Sequence, residues 1–146
     1  MTFLANWKRL GVTAVVAMGL GLATSAGATP TAGGDVEGML KAAGEAMAQS
    51  DYPVALRQFA MAAESGSARG QAGLAILFAA GHGVDRNPLQ AYKWILVAET
   101  TAKTQRPGMV EKIASFKKDI GAQLDDVQRV RGEELAKEYL TEKGWK

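Results

Sequence analysis

The sequence predicts an all-α fold of about six helices stacked as antiparallel hairpins, and three observations point there. Apolar residues beyond position 35 recur at three- and four-residue steps, the period of a helix face. No period-two run bounded by hairpin turns interrupts them. Ala55, Phe59 and Ala62 are matched by Ala91, Ile95 and Ala98 at a constant shift of 36 residues, the signature of a stacked helical repeat.

The first segment is expected to be processed. Lys8 and Arg9 precede an uncharged apolar stretch from Leu10 to Ala23, the layout of a secretory signal peptide. That stretch is shorter than the roughly 20 residues a membrane-crossing helix needs, and Gly11, Gly19 and Gly21 loosen it. Ala26-Gly27-Ala28 offers the small residues a signal peptidase accepts, so cleavage is expected between Ala28 and Thr29. Residues 1–28 are thus read as a leader, 29–34 as a flexible linker and 35–146 as the helical domain. No cysteine is present to carry a lipoprotein anchor. A periplasmic or secreted product without stable membrane insertion is expected.

Charge and cysteine content narrow the function classes. The chain has 17 basic and 15 acidic residues, and the leader takes Lys8 and Arg9 with it, which leaves the two signs equal. A neutral chain of interspersed charges gives no electrostatic reason to bind nucleic acid or an anionic membrane. Zero cysteines exclude disulfides and thiol catalysis.

The helices follow in order. Val36, Met39, Leu40, Ala43 and Met47 share one face of the first, which starts near Asp35. The second begins after Asp51, whose carboxylate can cap free amides, with Pro53 in the first turn and Gly66 as the stop. The third runs from Ala68 to Ala80, where Gly81-His82-Gly83-Val84 breaks the period. Asn87 and Pro88 open the fourth, expected to end near Thr101 before a polar connector, Lys103 to Gly108. The fifth, Met109 to Gln123, carries Ile113, Phe116 and Ile120. The sixth starts after Asp125, with Gln128 completing a capping box, and runs through Val130, Leu135 and Tyr139. Short connections make successive helices antiparallel neighbours, which suggests three stacked hairpins.

The stretch from Gly66 to Ala98 resembles a Sel1-like repeat, a relative of the tetratricopeptide repeat. The elements that carry the likeness are Gly66, Gly70, Leu74, Phe78, Gly81, Gly83, Val84, Ala91, Trp94, Ile95 and Ala98. Gly70 stands where the pattern has alanine, Ala75 where it has glycine, and Phe78 and Ile95 where it has tyrosine. One complete repeat spans about residues 66–101; upstream lies a half repeat and downstream a helical cap, about 108–142. The resemblance implies a short right-handed α-solenoid that binds another protein in the bacterial envelope, without catalysis or cofactor. Some cysteine-rich relatives are linked to β-lactam hydrolysis, but they rely on disulfide-stapled repeats that this chain lacks.

Candidate sites are few. His82 is the only histidine and has no cysteine, second histidine or spaced carboxylates with which to build a metal site. Asp125-Asp126 and Glu133-Glu134 are adjacent pairs, which a helix points about 100° apart, poor geometry for acid/base work; the first is read as helix capping, the second as a solvated face. Trp94 and Phe78 fall on repeat positions that pack against the neighbouring helix. On the third helix Gly70, Leu74 and Phe78 form the packing face, while Arg69, Ala72, Ile76 and Ala79 lie opposite. That second face is the candidate partner groove, with Ile76 as anchor and Arg69 at its rim. Self-assembly through the open ends of a one-repeat solenoid is the alternative.

Overall fold

The computed structural model describes residues 35–145, and the expected leader, cleavage point and linker lie outside them. The described chain is all-α: α1 (Val36–Ala48), α2 (Tyr52–Glu64), α3 (Ala68–Ala80), α4 (Pro88–Gln105), α5 (Val110–Gly121) and α6 (Asp126–Lys143). No described helix is long and apolar enough to cross a membrane.

Local chemistry sets most boundaries. The Asp51 carboxylate accepts a hydrogen bond from the Val54 amide at 3.3 Å, and the Asn87 side chain one from the Gln90 amide at 3.0 Å. These two caps, 36 residues apart, start α2 and α4 in equivalent registers. Asp125 and Gln128 form the reciprocal capping box of α6, at 2.7 and 3.1 Å. Helices α1 and α2 end alike: the amides of Asp51 and Ser67 reach back five residues to the carbonyls of Ala46 and Ala62. Such endings need a left-handed residue, supplied by Gly66 at φ +82° but by Ser50, at φ +59°, after α1.

The helices pack in sequence, α1 on α2, α2 on α3, α3 on α4 and α4 on α5, as in a short helical repeat array. Small residues make the close crossings. Ala55, Ala62, Ala91 and Ala98, the alanines of the 36-residue shift, are all fully buried. A methyl group at Gly70 would stand 2.6 Å from the Ala63 nitrogen, so α2 and α3 meet backbone to backbone there.

Two expectations need correction. Helix α4 does not stop near Thr101 but continues to Gln105, into the expected connector. Ala102 is buried, and the Gln105 side chain donates to the Gly66 carbonyl at 2.8 Å and accepts from the Ala68 amide at 3.4 Å. Those long-range bonds hold the last turn against the α2–α3 connection. A single 3-10 turn, Pro107–Met109, then leads into α5.

Helix α6 also departs from a simple third hairpin, because it packs on α4 as α5 does, and α5 and α6 diverge from their connection. Its inward positions are Gly132 and Ala136, whereas Val130 is 56% exposed. Tyr92 of α4 explains this: a methyl group at Gly132 would lie 2.7 Å from its ring. A bulky residue facing α6 selects its small side, and Arg129 secures the turn by donating to the carbonyls of Gly121 and Leu124.

Candidate interaction surfaces

The repeat positions read from the sequence fall on the packing surfaces. Leu74, Ala91, Trp94, Ile95 and Ala98 are buried, and Phe78 is half-buried against the same core. Gly70 touches α2, and Gly83, at φ +72°, lies against the backbone of Tyr52, where a side chain would collide. His82 stacks on Tyr52 with ring centroids 4.3 Å apart, which fastens the α3–α4 loop to the start of α2. Its Nδ1 is buried without a hydrogen-bond partner among the described residues.

The second face of α3 is partly open. Ala72 is at the edge of the core, while Arg69, Ile76 and Ala79 are half-buried. Arg69 donates from Nη1 to both carboxylate oxygens of Glu37 on α1, at 3.0 and 3.2 Å. This link ties α1 to α3 where their backbones make little direct contact. The structure therefore brings Arg69 to the edge of a face on which Ile76 still meets solvent.

The carboxylate pairs are separated in role. Asp125 caps α6, and Asp126 pairs with Arg129. Glu134 pairs with Arg131 at 3.0 Å, whereas Glu133 faces a cleft between α4 and α6. Among the described residues no group of three or more histidines, cysteines or carboxylates is placed to hold a metal.

Sequence reasoning missed the most elaborate side-chain cluster, at the end of α6. Trp94 and Tyr139 meet edge to face at 5.0 Å, Trp145 meets Tyr139 likewise at 5.9 Å, and the Lys93 ammonium lies 4.6 Å from both the Trp94 and Tyr139 rings. Glu64 of α2 closes the group, accepting from the Tyr139 hydroxyl at 3.2 Å and from Lys143 at 2.6 Å. Burial pushes the Lys93 ammonium below its ordinary range, opposed by Glu64, Glu142 and Glu138. Burial, with the Glu64 carboxylate beside it, raises the Tyr139 phenol well above the usual tyrosine range. A glycine before a terminal aromatic, Gly144-Trp145, was the available signal, since a left-handed glycine ends a helix and turns the next residue back on it.

Trp145 also lines two surface cavities. One, of about 370 Å³, lies between α4 and α6 and is lined by Leu96, Ala136 and Leu140 with Glu99, Glu133 and Lys137 at its edge. Glu99 is held there by Lys117 of α5, 2.8 Å away. The other, of about 240 Å³, lies beside Gly66 and is lined by Ser65, Thr100, Thr104 and Gln105.

Compared with known proteins, the chain matches no family model, no curated protein and no solved structure. Among the described residues the chain is an all-helical domain of six helices packed as sequential pairs.

Proposed function

We propose that the chain is an exported adaptor of Sel1-like, tetratricopeptide-like build that holds another protein in the bacterial envelope. The observation that carries the reading is the second face of α3. Ile76 is an apolar residue in the middle of a helix whose other side is packed, yet it stays partly open to solvent, with Arg69, two turns earlier on the same face, held by Glu37. An apolar anchor with a positioned cation at its rim suits an amphipathic helix or extended peptide of the partner. Export is inferred from the Lys8-Arg9 lead, the apolar stretch from Leu10 to Ala23 and the small residues before Thr29.

The test is a photo-crosslinking residue placed at position 76, in the chain expressed in its own host, with fractionation of the envelope. The proposal expects one discrete adduct in the periplasmic or secreted fraction, lost when Arg69 is replaced by Glu. Adducts only within the chain itself, or a chain confined to the cytoplasm with an intact first residue, would contradict it.

Self-assembly is the second reading, and one observation favours it. Val127 and Val130, one turn apart on α6, are 79% and 56% exposed, and together they leave an apolar strip on the outermost helix. Sedimentation of the purified chain separates the readings: a monomer at every concentration removes self-assembly, whereas a dimer dissolved by Val130→Lys supports it.

A further inference from the structure

The cavity beside Gly66 has a chemistry distinct from the protein-binding face. No charged residue lines it. Its hydroxyl groups have already given their protons away: Ser65 donates to the Met61 carbonyl at 3.0 Å, Thr100 to Leu96 at 3.2 Å and Thr104 to Thr101 at 3.0 Å. The Gln105 amide gives one N–H to Gly66 and accepts from Ala68, and keeps its second N–H. What the hydroxyl oxygens have left is accepting capacity, since each keeps lone pairs after donating. A ligand that brings several donors of its own suits these oxygens, and the Trp145 indole N–H and the second N–H of Gln105 add donors to the same lining.

Trp145 supplies the apolar wall. Its ring is fixed before any ligand arrives: the indole packs over Gly66 at about 3.1 Å from where a side chain would begin, and its edge meets Tyr139. Its backbone amide donates to the Leu140 carbonyl at 2.9 Å. A preorganised flat wall lowers the ordering cost of binding. At about 240 Å³ the cavity falls below the roughly 300 Å³ at which sites for drug-sized ligands begin. It suits a single small ring.

We propose that this cavity binds a neutral sugar ring, whose apolar C–H face lies on the Trp145 indole and whose hydroxyls donate to Thr100, Thr104 and Ser65. An ammonium ion shares the liking for indole and acceptors, but it would enter a lining with no carboxylate to balance it. The larger cavity, which shares Thr100 and Trp145 with this one, offers the Glu133 carboxylate and the Thr141 hydroxyl as further acceptors. A β-linked disaccharide, flat and with equatorial hydroxyls, extends along the border the two cavities share at Thr100 and Trp145 and binds more tightly than one ring.

The experiment is a titration of the isotope-labelled full chain with glucose and with cellobiose, following the indole N–H of Trp145 and the amides of Gly66 and Gln105 by NMR. Cellobiose is expected to give a saturable shift at these three groups with a dissociation constant on the order of 1 mM, and glucose a several-fold weaker one. Trp145→Leu keeps an apolar cap but no flat face, and weakens binding about tenfold or more. Thr104→Val, the same shape without the acceptor, weakens it several-fold while circular dichroism stays unchanged. No saturable shift with either sugar overturns the proposal, as does saturation by tetramethylammonium alone. Should Trp145→Leu fail to fold, undiminished affinity in Thr104→Val overturns it by itself. The site is remote in chemistry from Ile76, so loss of the protein partner leaves these outcomes unaffected.

Discussion

Replacing Gly70 with alanine puts a methyl group where the backbone of α2 already stands. By helix propensity alone the change stabilises α3 by about 1 kcal/mol. The packing says otherwise. The added carbon would meet the Ala63 nitrogen at 2.6 Å, the Ala62 methyl at 2.7 Å and the Ala62 carbonyl carbon at 2.8 Å. Two of those atoms are backbone, so no rotamer change relieves the overlap and the helices must separate. Overpacking of this kind costs about 3 kcal/mol at the upper end of its usual range, which leaves a net loss of about 2 kcal/mol. For a domain near this size that lowers the melting temperature by roughly 10 °C. Gly44→Ala is the matched control: nothing stands within 4 Å of its added methyl, so it gains about 0.5–1 kcal/mol. Urea unfolding followed by circular dichroism measures both. A Gly70→Ala chain as stable as the parent would refute the backbone-to-backbone crossing of α2 and α3.

Other expectations follow from single positions. Gln71 is fully buried with neither amide atom hydrogen-bonded among the described residues; Gln71→Met should therefore raise stability by about 1 kcal/mol in chemical denaturation, and a comparable loss would mean that the amide is bonded. Ser50 sits at φ +59°, a conformation that costs an L-residue roughly 1 kcal/mol, so Ser50→Gly should raise the midpoint of thermal unfolding, and a lower midpoint would contradict the left-handed ending of α1. The folded Tyr139 phenol keeps its proton beyond the value near 10 at which an unfolded tyrosine loses it. Its contribution is complete below that pH and declines as pH rises through the folded value; stability curves of the parent and Tyr139→Phe should converge above pH 10, and parallel curves would count against the burial of the phenol beside Glu64. Lys93 acts in the opposite sense, since its folded ammonium is lowered from 10.5: the cost of burying that charge is present below the folded value and relieved as pH rises through it, so Lys93→Met should help stability most at neutral pH.

What the sequence disclosed was local, and what it concealed depends on distant residues. Asp51, Asn87, Asp125 and Gln128 marked their helix starts because a cap needs only the next three residues. The 36-residue shift located the buried alanines because repeats place equal residues in equal surroundings. The end of α4 was misjudged because Gln105 is held by Gly66 and Ala68, nearly forty positions earlier. The inward side of α6 was not legible either, because it is Tyr92 of α4 that selects Gly132 and leaves Val130 outside. Of the candidate surfaces, the α3 face was visible as a second apolar stripe. The Trp145 cavity was not, since its walls come from the ends of α2, α4 and α6, which only the fold brings together.

The binding role of the α3 face stands or falls on Ile76, and one variant addresses it directly. The unfolding free energy of Ile76→Asp, measured with its capture of the crosslinked partner, separates a surface anchor from a core residue. A partly exposed anchor loses less than about 1 kcal/mol of stability while binding disappears. A loss above about 3 kcal/mol, the cost of burying an unpaired carboxylate in a core, would contradict the groove.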